Sequence, residues 1–219
     1  MSSFPGSPRI LKGGIVLIDP DTTMVQRIIT LQYNSDSLSR TLQVQGVGGE
    51  SGDRLEALRL KAPAIETIKL DAEIDATDQL EFPDQNPDTL ALGIYPQLAA
   101  LEMLVYPSSA QLIANFVLSQ IGTIEIIPME TPLALFVWSP ARILPIRLTD
   151  FSITEEAFDP TLNPIRAKVS LGMRVLTVDD LGFEHVGGIL FLTQLMQKEA
   201  LATMNTIRAV TSLGLSGIP

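Results

Sequence analysis

Two segments of strict alternation constrain the fold of this chain more than any other feature. Across residues 64–76, Ile68, Leu70, Ala72 and Ile74 take one parity, while Lys69, Asp71, Glu73 and Asp75 take the other. Across residues 164–178, Ile165, Ala167, Val169, Leu171, Met173 and Val175 oppose Arg166, Lys168, Ser170, Gly172 and Arg174. A period of two places such sets on opposite faces of a β-strand, one for a core and one for solvent or a partner.

Further strands are expected at 13–19, 25–33 and 38–46, and again at 122–129, 133–138 and 141–153, separated by turn formers and prolines. The linker Asn34-Ser35-Asp36-Ser37 predicts that the strands on either side of it are neighbours. Residues 77–89 are acidic and proline-containing and read as an extended loop. Pro96 opens a helix that Pro107 ends, with Leu98, Leu101, Leu104 and Val105 as its apolar stripe. A second helix is expected over about 185–211, carrying Ile189, Leu192, Leu195, Met196, Leu201, Met204 and Ile207. Seven or eight strands, one internal helix and a C-terminal helix make a mainly β chain with helical additions, a β-barrel or sandwich.

Composition removes most chemistries. The 219 residues are 46% hydrophobic, enough to bury a core without covalent staples. There is no cysteine, which excludes disulfides, thiolate metal sites and a catalytic thiol. The one histidine, His185, is flanked by glycines and Glu184, and a helix start explains it better than a general base does. A net charge of −10 makes nucleic acid an unlikely partner. The glycine-rich stretch 46–53 precedes no GK[ST] and is not a phosphate loop. Residues 1–12 form a flexible segment with no apolar signal core, and no run reaches the ~20 apolar residues of a bilayer span. Cytoplasmic synthesis without direct membrane insertion is the expectation.

Two stretches carry a family resemblance. One is Leu31-Gln32-Tyr33-Asn34 with Ser37-Leu38-Ser39-Arg40; the other runs from Phe151 through Glu155, Glu156, Phe158, Asp159, Pro160, Asn163, Pro164 and Arg166 to Lys168. With Glu66, Asp71 and Asp75 between them, they resemble the tube-protein domain of contractile injection systems, phage-tail-like particles, over roughly residues 12–180. The resemblance is to the adaptor layer between inner tube and baseplate hub. It implies a tube-type β-barrel over 13–182, assembled as a homomeric, six-fold ring. The partners it implies are the inner tube protein, the hub or spike protein and baseplate wedge proteins, with no cofactor and no enzymatic activity. Relatives often continue into a LysM domain that contacts the baseplate. Here residues 183–219 supply a helix and a short tail at that place, which makes the helix the expected contact.

Interface candidates follow from the stretches and the charge rows. They are Gln32, Tyr33 and Asn34; the acidic row Asp71, Glu73 and Asp75; Glu155, Glu156, Phe158 and Asn163; the basic row Arg166, Lys168 and Arg174; and Phe191 and Leu195 on the last helix. The two charge rows are expected to pair within or between subunits. Three carboxylates along a straight strand cannot surround a calcium ion, which needs six to eight oxygens. Glu155 and Glu156 point to opposite faces of a strand and cannot flank one glycosidic bond. Phe136 and Trp138 alternate within an apolar strand and read as core. The alternative to a ring subunit is a stand-alone module binding a peptide or glycan, and a third reading is a hydrolase of unrecognised chemistry.

Overall fold

The computed structural model describes residues 11–32, 35–46, 59–120 and 131–212, with side chains as far as Met204. It is a mixed α/β fold built on one seven-stranded antiparallel sheet. The strands are β1 (Gly14–Ile18), β2 (Val25–Thr30), β3 (Leu38–Gln43), β4 (Ile65–Asp75), β5 (Leu133–Ser139), β6 (Arg142–Phe158) and β7 (Pro164–Val175), in the order β2-β1-β5-β6-β7-β4-β3. Helices α1 (Thr77–Leu80), α2 (Pro87–Leu92), α3 (Tyr95–Glu102) and α4 (Ser109–Gln120) lie between β4 and β5. Helices α5 (Val178–Leu181) and α6 (Val186–Ser212) follow β7.

The two alternating segments form the centre of the sheet. β4 and β7 are neighbours in antiparallel register, with Ala72 across from Val169 and Leu70 across from Leu171. Their apolar parity is buried, as the alternation requires. The long strand β6 joins two halves of the sheet. Its first residues pair with β5, the remainder pairs with β7, and Ile146 pairs with both. Register shifts after Leu148 and Glu155 mark the bulges that bend it. Phe136 is buried, and Trp138 stacks on it with ring centroids 5.8 Å apart.

The sheet curls until its first and sixth strands meet. Ile29 and Leu31 from β2 and its end share one core cluster with Ile68, Leu70, Ala72 and Ile74 of β4. The gap between them is filled by Leu98 and Leu101 of α3, on the helix that Pro96 opens. Among the described residues, β2 and β3 each pair with a strand on one side only.

Three sequence expectations are corrected. β2 and β3 are not neighbours but opposite edges of the sheet. The turn at Asp19, whose Oδ1 accepts from the N–H groups of Asp21 and Thr22, gives β2 to β1, while β3 pairs with β4. Residues 77–89 are not extended but wind into α1, a 3₁₀ turn (Pro83–Gln85) and the start of α2. The Gln79 side chain and main chain hold this turn together, accepting from the Thr89 hydroxyl and the Asn86 amide. A further helix, α4, stands where no element was expected. Helix α6 also packs on its own subunit, where Val186 and Leu190 cover Ile18, Leu133 and Leu135 while Phe191 packs against the main core. The strand expected at 122–129 and most of the 46–53 loop lie outside the described residues.

Candidate functional site

The charge rows meet inside one subunit. On the outward face, Asp75 is across from Arg166 and Glu73 is across from Lys168, as the antiparallel register of β4 and β7 dictates. Both Nε and one terminal nitrogen of Arg166 lie 2.7 Å from Asp75 Oδ2, and its Nε is 3.7 Å from Glu73. Lys168 turns the other way, to Glu156 of β6 at 2.7 Å. The bulge after Glu155 makes this contact available. Glu155 keeps register with Ala167, and the extra residue brings Glu156 to the outward row. Asp71 accepts from the Ser170 hydroxyl across the strand pair. Arg174 does not join these groups; it lies across from Thr67 and pairs with Asp180 at 2.8 Å.

Ionisation follows this geometry. Burial pushes the Asp75 carboxyl up, but bonds from the Thr77 hydroxyl and N–H and from Arg166 outweigh it and hold the pKa below the usual value. Lys168 is raised by its bond to Glu156 and by that charge. All these pairs are partly or largely exposed, so solvent and salt screen them and each adds little to stability. The face is a solvated ladder of matched charges.

Several candidate residues serve the subunit itself. The Gln32 side chain bonds both peptide groups of Asp75. Asn163 donates to Asp159 Oδ2 at 2.9 Å and to the Ala91 carbonyl at 3.1 Å, tying the β6–β7 turn to α2. Gly93 permits that docking, because at φ +59° a Cβ would stand 2.1 Å from the Pro164 carbonyl oxygen. His185 Nδ1 accepts from the Gly187 N–H at 3.0 Å as α6 begins. Phe158 and Leu195 are exposed. Tyr33 and Asn34 lie outside the described residues.

Several exposed surfaces among the described residues are apolar. Both edge strands expose large side chains: Val25 and Ile28 on β2, and Leu42 with the nearby Val44 on β3. Helix α4 has no charged residue and no buried one, and exposes Leu112, Ile113, Phe116, Val117 and Leu118. Beyond Leu195, α6 exposes Met196, Leu201 and Met204. An apolar groove of about 300 Å³ lies between β2, β4 and α3, lined by Ile28, Leu31, Ala72, Ile74, Ala100 and Leu101. Sequence reasoning missed α4, although Leu112, Ile113, Phe116 and Val117 recur at i, i+1, i+4 and i+5. It also missed Glu66, which the parity of β4 assigns to the apolar row.

Among the described residues, no three His, Asp or Glu side chains cluster to hold a metal ion, and no helix is long and apolar enough to cross a membrane. The sequence matches no protein-family model, and no curated protein matches it.

Proposed function

We propose that this chain is a structural subunit of a contractile injection particle, forming a ring between the inner tube and the baseplate hub. The observation that carries the reading is that, among the described residues, β2 and β3 stand at the two ends of the sheet order and each pairs with a strand on one side only. Edge strands are a template for association, and these expose apolar side chains beside a single arginine each, Arg27 on β2 and Arg40 on β3, with no proline. Because β2 and β3 are different surfaces, pairing them between copies is head-to-tail, and such contacts close into a ring when the rotation allows. The exposed faces of α4 and of α6 over residues 195–204 offer area toward the total above about 2,000 Å² that an obligate interface needs. The resemblance to tube-protein domains supplies the six-fold count and the tube, hub and wedge partners. The subunit's task in this reading is mechanical, without catalysis or cofactor.

Mass measurement of the assembled chain and cross-linking within the intact particle test this reading. A closed homomeric ring is expected, with cross-links joining β2 of one copy to β3 of the next. A chain that stays monomeric at all concentrations and never enters a particle overturns it. The groove beside β2 favours the second reading, a module that adds a peptide strand to the β2 edge and seats its side chains between β4 and α3. A monomer that binds extended peptides through that groove would establish it instead.

A further inference from the structure

Glu66 belongs to the buried row of β4 yet carries a charge. It is 5% exposed, and two cations from different elements reach it. Arg40 of β3, one strand over and diagonal to Glu66 in the register, places Nε 2.6 Å from Oε1. Lys198 of α6 places Nζ 3.2 Å from Oε2. On α6, Gly187, Phe191, Gln194 and Lys198 recur at helical spacing on the side turned to the subunit, where Gly187 and Gln194 are buried. From Leu195 to Met204 every residue of α6 is exposed, and Lys198 reaches back from this stretch to the sheet.

We propose that β3 and α6 compete for the carboxylate of Glu66, so that engaging Arg40 from outside hands Glu66 to the helix and tightens its second half on the sheet. Two effects of opposite sign meet here. Sharing one ordered carboxylate favours cooperation, since its ordering cost falls only once. That cost is small at Glu66, because a side chain this deep in the core row is already fixed by its packing. Repulsion between the cations opposes cooperation. Held on the two oxygens of one carboxylate, they stand no more than about 8 Å apart, where like charges disfavour each other by a factor of about 2 in water and about 30 at a protein-surface dielectric. The first cation also removes most of the cost of burying the carboxylate, leaving the second less to gain. Repulsion therefore wins, and the two contacts are antagonistic.

By reciprocity, whatever loosens one contact strengthens the other by the same factor. The competition belongs to a single subunit; only its use, as a signal from the β3 edge to α6, rests on the ring reading. In that use, a carboxylate that a neighbouring copy brings near Arg40 from beside its β2 strand, which itself carries none, would lock α6 in place.

The test uses the full chain and two variants, Lys198→Met and Arg40→Met, which remove partly exposed charges and keep the aliphatic stems. Nitrogen-15 NMR reads hydrogen exchange at the Arg40 Nε–H, and amide exchange with mass spectrometry reads residues 195–204. Competition predicts that Lys198→Met slows exchange at Arg40 Nε–H by about 2-fold to 30-fold. It also predicts that Arg40→Met slows amide exchange over 195–204. Unchanged or faster exchange in either measurement, in a variant whose circular dichroism matches the parent, overturns the proposal. Ring assembly is scored separately by mass, so failure of the competition and failure of the ring reading are told apart.

Discussion

The side chain of Gln32 acts as a missing strand residue for Asp75: it donates to the Asp75 carbonyl at 2.5 Å and accepts from the Asp75 N–H at 2.9 Å. A primary amide mimics a peptide unit, so this one residue pairs the end of β4 with the chain leaving β2. Among the described residues no strand ladder joins β2 to β4, and Gln32 fastens them there. The same Asp75 receives Arg166 and Thr77 on its carboxylate, so its main chain and side chain are both engaged within the subunit.

Gln32→Ala should therefore destabilise the fold by about 1–3 kcal/mol, the cost of two part-buried peptide groups losing their partner. Gln32→Glu, whose second carboxylate oxygen would face the Asp75 carbonyl oxygen with no proton between them, should be at least as destabilising as the alanine variant. Denaturant unfolding checks both. An alanine variant as stable as the parent would mean that water replaces the amide and the fastening is elsewhere.

Gly188 gives a prediction in which two effects compete. Replacing glycine by alanine inside a helix ordinarily gains about 1 kcal/mol. Here a Cβ would stand 1.9 Å from the Gly182 carbonyl oxygen, a backbone atom that cannot rotate away. Seating α6 would then require a shift of the α5–α6 turn, and overpacking of this kind costs about 1–3 kcal/mol. Gly188→Ala should be net destabilising. Thermal unfolding checks the sign, and a raised midpoint would show that the turn yields freely.

Much of this was legible in the sequence, for identifiable reasons. β4 and β7 were readable because one face is buried and one solvated, which writes alternation into the residues. The intramolecular meeting of Asp75 with Arg166 followed once those strands were neighbours in register. Strand order was not readable at β2 and β3, because turn formers stand on both sides of β2. The Asp19 side chain decides which one makes the hairpin. The helical turns at 77–92 were hidden by Pro83 and Pro87, which sit in the first turns of their helices instead of breaking them. Glu66 was hidden by its charge, since only its two cations reconcile a carboxylate with a core position.

Glu66 also sets a pH dependence. Burial raises its carboxyl, but the bonds and charges of Arg40 and Lys198 outweigh this and place the folded pKa below the ordinary 4.5. A folded value below the unfolded one means the contribution is complete above about pH 4.5 and is lost as pH falls through the folded value. Glu66→Gln should cost about 1.5–3 kcal/mol at neutral pH, where charge-assisted bonds are lost, and should show a shallower loss of stability below pH 4.5. Unfolding at a series of acid pH values checks the slope. Parallel curves for parent and variant would rule out the assignment.

Helix α4 separates stability from assembly. Leu112, Ile113 and Phe116 are 50%, 63% and 63% exposed, so the subunit gains little from burying them. Changing all three to Gln removes almost no packing and introduces a better helix former than Ile or Phe. Unfolding free energy should stay within about 0.5 kcal/mol of the parent. In a ring the outcome differs, because a neighbour that covers this face contributes about 1.5–3 kcal/mol for each large apolar side chain fully buried. The triple variant should then remain a folded monomer where the parent forms rings, with at least a tenfold rise in the concentration needed for assembly. Sedimentation velocity over a concentration series reads this directly. Rings that form as readily as in the parent would remove α4 from the interface. A variant that unfolds would show that the helix, exposed as it is, supports the subunit itself.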